Sequence, residues 1–273
     1  MRIVKELSEI QQPFKNAVIT IGNFDGVHIG HQALLHTVIE TADRIGGTSV
    51  AMTFDPHPMR ILSENAHLPL ITMPQQKAEL IEKAGIEVLI VVPFTHGFAQ
   101  ISAHDFVAQL LLKRIGMRAI VVGKDYTFGK RREGNLPLLK RWSRSLNFEV
   151  LVLDWIQGAD DGSDRISSTH IRQSVMDGRM AEAKRMLGRN YQIRGVVAGG
   201  RNRGGRLLGF PTANINLQDE LCPQQGIYAV TVVHDERTYP GVANIGYSPT
   251  FDDHLFTVEV HILNFNQDIY GHT

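Results

Sequence analysis

Two histidines stand three residues apart in "AVITIGNFDGVHIGHQALL", residues 17–35. The stretch reads as a strand, a turn holding two glycines and an aspartate, and a helix that begins near His28 and His31. A helix start presents unpaired N–H groups and partial positive charge, and small residues before it let a ligand approach the backbone. Two imidazoles at that spacing project toward one ligand. Three chemistries remain open on these residues alone. They could donate hydrogen bonds to phosphate oxygens and stabilise charge during attack on an α-phosphate. They could ligate a metal, although no third ligand of suitable spacing presents itself. Or one caps the helix and the other packs.

A second segment, "RISSTHIR" (165–172), sets Ser167, Ser168 and Thr169 just ahead of a helix, with Arg172 in its first turns. Hydroxyls there serve as N-caps. With helix N–H groups and an arginine they also form a phosphate clamp, and two clamps on one sheet suit a triphosphate.

The elements that must position these groups are legible as alternation. Between residues 17 and 155, "AVITI", "SVAMTF", "EVLIVVPF", "AIVVG" and "FEVLVLDW" are strand candidates. Helical patterns fall near 31–45, 74–84, 102–116 and 136–146, with a further helical stretch over 167–187. Near-continuous apolar strands separated by helices predict a parallel sheet covered on both faces, an α/β, Rossmann-like domain. Ligands in such folds gather at the carboxyl ends of the strands. That edge would carry "GNFDGVHIGH", "FDPHP" and "GKDYTFGKRREGN". From "GRNYQIRGVV" onward the texture becomes short β-rich pieces broken by Gly, Pro and Asn, which predicts a small all-β barrel of about 85 residues. The boundary is placed so that residues 1–186 form the first domain and 187–273 the second.

Bulk composition narrows the function classes. A chain of 273 residues with 43% hydrophobic residues fills two cores. Lys plus Arg and Asp plus Glu are 28 each, so there is no general pull toward nucleic acid or an anionic membrane. Arg201, Arg203 and Arg206 lack the interleaved aromatics of a nucleic-acid platform. One cysteine, Cys222, excludes an internal disulfide framework and an all-cysteine zinc site. The opening "MRIVKELSEI" has no secretory pattern, and no apolar run reaches a membrane span; the expectation is a cytoplasmic protein, with homo-oligomer formation left open.

"IGNFDGVHIGH" with "ISSTHIR" resembles the nucleotidylyltransferase superfamily. More narrowly, "TFDPHP", "VVGKDYTFGKRREGN", "LGRNYQIRG", "GRLLGFPTANI", "GVANIGYSPTF" and "VEVHILNFNQDIYG", in this order, resemble the bacterial bifunctional riboflavin kinase/FMN adenylyltransferases. The resemblance implies an ATP-facing turn made by Gly22, Asn23, Phe24, Asp25 and Gly26, with His28 and His31 on the phosphates. It implies that Ser167, Ser168, Thr169 and Arg172 hold the β- and γ-phosphates that leave as pyrophosphate. Phe54, His57, Asp125 and Phe128 are candidates for the flavin and its phosphate.

In the second domain it implies Mg²⁺ held through Thr212 and Asn214, and a glycine loop that includes Gly199 and Gly205 around ATP. Glu259 would be the general base for riboflavin. The substrates so implied are riboflavin, FMN and ATP, and the products FMN and FAD. The family continues past the Tyr-Gly near the end of this sequence with a strand and a long helix, so the kinase domain is expected to be incomplete. That leaves FMN adenylylation alone as an alternative, and a flavin-binding protein without activity as a third.

Overall fold

The computed structural model describes residues 1–63, 68–156, 165–198, 211–217, 219–247 and 256–273. Two compact units result. One comprises Met1–Ile171 with Arg185–Arg189, the other Arg172–Lys184 with Asn190–Thr273.

The first unit is built on strands β1 (Arg2–Val4), β2 (Ala17–Ile21), β3 (Ser49–Asp55), β4 (Val88–Pro93), β5 (Met117–Gly123) and β8 (Glu149–Leu153). Their order is β1-β4-β3-β2-β5-β8, and every pairing is parallel. All five residues of β2 are buried, as a strand covered on both faces requires. Alternate residues of one strand supply two cores. Ile19, Met52, Ile90 and Ile120 enter one core together with Leu111. Val18, Ala51, Leu89 and Val121 enter the other with Leu35 and Val38.

Helix α1 (Ile29–Ile45) supplies Leu35, Val38 and Ala42 to its core and closes at Gly46, whose φ of 58° makes the left-handed C-cap. Helices α2 (Pro58–Leu62) and α3 (Pro74–Lys83) follow β3. Helix α4 begins over Ala103–Asp105 and runs on in π-helical form over Phe106–Ile115. A two-stranded hairpin, β6 (Thr127–Phe128) with β7 (Gly134–Asn135), precedes α5 (Leu136–Leu146). The cap of α5 is Asn135, whose side chain accepts from Leu138 N–H.

The expected helix 167–187 is interrupted. Gly178 at φ 71° turns the chain between α6 (Ser168–Met176) and α7 (Met180–Leu187). The edge strand β1 was not foreseen; three residues carry too little pattern to announce themselves.

In the second unit, β9 (Val196–Ala198), β10 (Ala213–Asn216), β11 (Gly226–His234), β12 (Arg237–Tyr247) and β13 (Phe256–Ile262) form an antiparallel sheet in the order β11-β12-β13-β10-β9. Ala243, Ile245, Val258, Val260 and Ile262 make its core, with Ile215, Tyr228, Val230 and Val232 packed against them. The opposite face carries Asn214, Asn244 and Glu259 together with the exposed Ile227 and Val233, following the period of two.

Candidate active site

The order of the parallel sheet fixes where a ligand belongs. From β2 the chain lays β3 and then β4 to one side, whereas β5 and β8 lie on the other side. The crevice between the ends of β2 and β5 is therefore the switch point at which open α/β sheets bind ligands. A cleft of about 260 Å³ lies there, lined by Gly22 after β2, Gly123 after β5, and His28, His31, Asp125, Tyr126, Arg165 and Ser167 among others.

The turn that leads into α1 is held from several sides. Thr53 Oγ1 donates to Asn23 O at 3.1 Å, and Gly22 N–H donates to Met52 O at 3.0 Å. Asp25 faces inward, 1% exposed, and its Oδ1 accepts from the N–H groups of Ile71 and Thr72 at 3.0 and 3.1 Å. Gly26 N–H donates to Thr72 Oγ1, and at φ 85° a side chain would be strained and pressed against Ile71. Arg189 donates to Gly26 O at 2.7 Å and to Val27 O at 3.2 Å. Phe24, fully buried, sets its ring edge-on to His31 with centroids 5.2 Å apart.

His28 is the N-cap of α1. Its Nδ1 accepts from His31 N–H at 3.3 Å, so the proton of the neutral ring sits on Nε2. The rings of His28 and His31 are stacked, 3.6 Å between centroids at 17°. Two cationic rings could not lie so close without mutual repulsion. Burial lowers the pKa of His28 to about 4, assisted by Arg165 and Arg189 and opposed by Asp25. Burial also holds His31 well below its ordinary value, with the charges of His28 and Lys77 adding to it. Both rings are neutral donors at pH 7. His31 Nδ1 has no hydrogen-bond partner among the described residues.

The far wall adds cationic and hydroxyl groups. Arg165 pairs with Asp125 at 2.6 Å and lies over the Trp155 ring at 4.8 Å. Lys124 pairs with Asp154 beside it. Ser167 caps α6 by accepting from His170 N–H at 3.2 Å, and Ser168 Oγ donates to Asp25 O at 2.8 Å, which ties the second motif to the first. Thr169 is exposed and outside the cleft lining. Arg172, half-buried on α6, falls in the second unit.

The proposed flavin residues divide. Asp125 lines the cleft with the histidines. Phe54 and Phe128 belong instead to a chain of rings that runs through Phe98 and Phe106 at centroid distances of 5.9, 6.3 and 5.9 Å. Tyr126, which lines the cleft, stacks on Phe128 at 5.4 Å and connects that chain to it. His57 caps α2, its Nδ1 accepting from Met59 N–H at 3.2 Å.

In the second unit, Asn214 on β10 and Asn244 on β12 both stand directly opposite Glu259 on β13. Directly paired residues share a face, so the three form one polar row. They lie on the face opposite Ala213, Val258 and Val260 of the core. Thr212, half-buried, immediately precedes β10. Gly199 and Gly205 lie outside the described residues.

Sequence reasoning missed Arg165, Tyr126, Trp155 and Arg189 as individual residues. Each stood inside or beside a quoted motif, but an arginine that anchors backbone carbonyls leaves no periodic signal.

A parallel α/β unit with a cleft of about 260 Å³ at its switch point, joined in one chain to an antiparallel β unit, belongs to the class of two-part proteins whose first part is built like a nucleotide-binding domain. Comparison with known proteins makes the class specific. A family model described as FAD synthetase matches residues 10–170, and one described as riboflavin kinase matches residues 187–273. A bifunctional riboflavin kinase/FMN adenylyltransferase of Listeria monocytogenes is 40% identical over 259 residues, covering 94% of this chain and 81% of that protein. One of Escherichia coli K12 is 35% identical, covering 99% of this chain and 86% of its own length. A crystal structure from Streptococcus pneumoniae, named a macrolide-efflux protein, superposes with a TM-score of 0.87 at 34% identity over 98% of this chain and 86% of that one. Among the described residues no helix is long and apolar enough to cross a membrane. The chain belongs to the bifunctional riboflavin kinase/FMN adenylyltransferase family.

Proposed function

We propose that this chain phosphorylates riboflavin to FMN in its second unit and adenylylates FMN to FAD in its first. The observation that carries the second reaction is the neutral, stacked pair His28 and His31 at the start of α1, inside the switch-point cleft. An oxygen of the FMN phosphate attacks the α-phosphorus of ATP, the bond to the bridging oxygen breaks, and pyrophosphate leaves. The protein supplies position and charge stabilisation for this step and no nucleophile of its own.

His28 and His31 donate to phosphate oxygens from neutral rings, and the turn Gly22–Gly26 shapes the space that the nucleotide enters. Asp25 acts within that turn by holding its backbone. Ser167, Ser168, Thr169 and Arg172 are assigned to the β- and γ-phosphates, and Arg165 joins them from the cleft wall. Phe54, His57, Asp125 and Phe128 are assigned to the flavin side, a role supported for the two phenylalanines by the path of rings through Tyr126.

For the first reaction, Glu259 takes the proton of the riboflavin hydroxyl as its oxygen attacks the γ-phosphorus and ADP leaves. Its place in one row with Asn214 supports that role. Thr212 and Asn214 offer oxygen donors, which fits Mg²⁺. Mg²⁺ supplies neutralisation of the phosphate charge when bound. Gly199 and Gly205 are assigned to ATP. The balanced charge of the chain and its single cysteine support a cytoplasmic setting.

The test is a pair of incubations, riboflavin with ATP and Mg²⁺ and then FMN with ATP and Mg²⁺, with products separated by chromatography. FMN from the first and FAD from the second are expected. Neither product from a folded protein would overturn the assignment.

A further inference from the structure

In the second unit, two histidines and an aspartate that neither reaction uses stand together where the edges of the sheet meet. His234 is the last residue of β11 and lies opposite Arg237, the first of β12, so Asp235 and Glu236 alone make the turn between the strands. Both turn residues are left-handed, at φ 47° and 62°, the conformation of a two-residue hairpin loop, which fixes Asp235 beside His234. On the other edge, Val197 of β9 donates its N–H to His272 O at 2.8 Å and accepts from Gly271 N–H at 2.9 Å. Strands β11 and β9 are the first and last in the order of the sheet. The ring of His272 nevertheless lies 5.2 Å from that of His234, so the sheet curls until its two edges come together here.

The three side chains are placed as ligands. His234 Nε2 is 3.5 Å from Asp235 Oδ2, and one ligand atom from each of His234, Asp235 and His272 lies within 4.8 Å of the other two. His234 is 6% exposed, its ring edge-on to Phe265 at 6.0 Å, and Phe265 in turn packs on Tyr239 at 5.0 Å. A ring locked by packing is pre-organised for a ligand. Asp235 and His272 are exposed and form the adjustable side of the cluster. Ligand atoms around a tetrahedral Zn²⁺ stand about 3.3 Å apart, so closing on the metal takes roughly 1.5 Å of movement by those two side chains. Two imidazoles and one carboxylate suit zinc with a water as fourth ligand, whereas Mg²⁺ and Ca²⁺ prefer oxygen alone.

We propose that His234, Asp235 and His272 form a binding site for Zn²⁺, and that the metal clasps the β11–β12 turn to the segment beside β9. The site shares no residue with Thr212 and Asn214 or with Glu259. Because its ligands meet only when the two edges of the sheet are together, bound metal stabilises the closed form over the open one.

The experiment uses the whole chain of 273 residues without an affinity tag. Wild type, His272→Ala and Asp235→Asn are dialysed against low-micromolar Zn²⁺ with millimolar Mg²⁺ present, and bound zinc is measured. Both substitutions fall on exposed side chains, and thermal unfolding without zinc identifies a variant that fails to fold, in which case the other carries the comparison. The wild type should hold about one equivalent more zinc than either variant. Co²⁺ in place of zinc should give the intense visible bands of a tetrahedral site in the wild type alone. Zinc should also slow hydrogen exchange at the N–H groups of Val197 and Gly271 in the wild type and not in the variants. Equal zinc uptake by wild type and a folded variant overturns the site, and zinc bound without slower exchange at those amides overturns the clasp. Neither result bears on the assignment of the two flavin reactions.

Discussion

The imidazoles of His28 and His31 lie 3.6 Å apart and nearly parallel, with the backbone N–H of His31 donating to Nδ1 of His28. One histidine thus caps the helix and fixes the plane of the other. The sequence left capping and phosphate binding as alternatives; the geometry lets one ring do both, since the cap uses Nδ1 and leaves Nε2–H for a ligand.

The stack depends on Gly30. A Cβ at that position would stand 3.1 Å from both Cε1 and Nδ1 of His28. Gly30→Ala should displace the His28 ring and lower FAD formation on the order of tenfold, with little change in riboflavin phosphorylation. Steady-state kinetics of both reactions on the variant check this. Unaltered FAD kinetics would show that the ring position is not critical.

The depressed proton affinity of His28 has a consequence for stability. Unfolded, the ring titrates near 6.5; folded, near 4. Between these values the unfolded chain binds the extra proton, so stability falls as pH drops through that window and is level with respect to this group above it. The contribution lost by pH 4 is about 3 kcal/mol, and His31 acts in the same direction. His28→Asn keeps an N-cap acceptor but cannot titrate. Denaturant melts from pH 4 to about 7.5 should show a shallower acid loss in that variant than in wild type. Parallel pH curves would contradict the buried, neutral state of His28.

The second unit yields a complementary prediction. Glu259 stands opposite Asn214 and Asn244 in one polar row. Glu259→Gln preserves shape and removes the proposed base, so riboflavin phosphorylation should fall about 100-fold or more while FAD formation from FMN persists. Product analysis with each flavin separates the two. Retention of riboflavin phosphorylation would remove Glu259 from the chemistry.

Much of this architecture could be read from pattern. The strands AVITI and AIVVG are nearly continuous apolar runs, broken in the first by the buried Thr20, because both faces are covered, and α5 begins where Asn135 and Pro137 announce it. The break at Gly178 was less visible, since one glycine in a helical pattern is often tolerated. The His28/His31 pair was legible because its spacing sits at a helix start. The pair His234 and His272 was not, because the two stand far apart in sequence and only the curl of the sheet brings their rings together. Asp25 looked like part of a ligand-facing turn; its bonds to Ile71 and Thr72 connect residues 46 and 47 positions away, which no local pattern encodes.

The most direct test of the account is the ratio of the two activities in His28→Ala and His31→Ala. Each removes a donor that the proposal aims at developing phosphate charge, a loss worth roughly 2.7–4 kcal/mol in comparable sites, so FAD formation from FMN should fall by two to three orders of magnitude. FMN formation from riboflavin, assigned to the row around Glu259, should stay near the wild-type rate in the same preparations. Equal loss of both activities in folded variants, or FAD formation that survives both substitutions, would contradict the placement of adenylylation at the His28/His31 cleft.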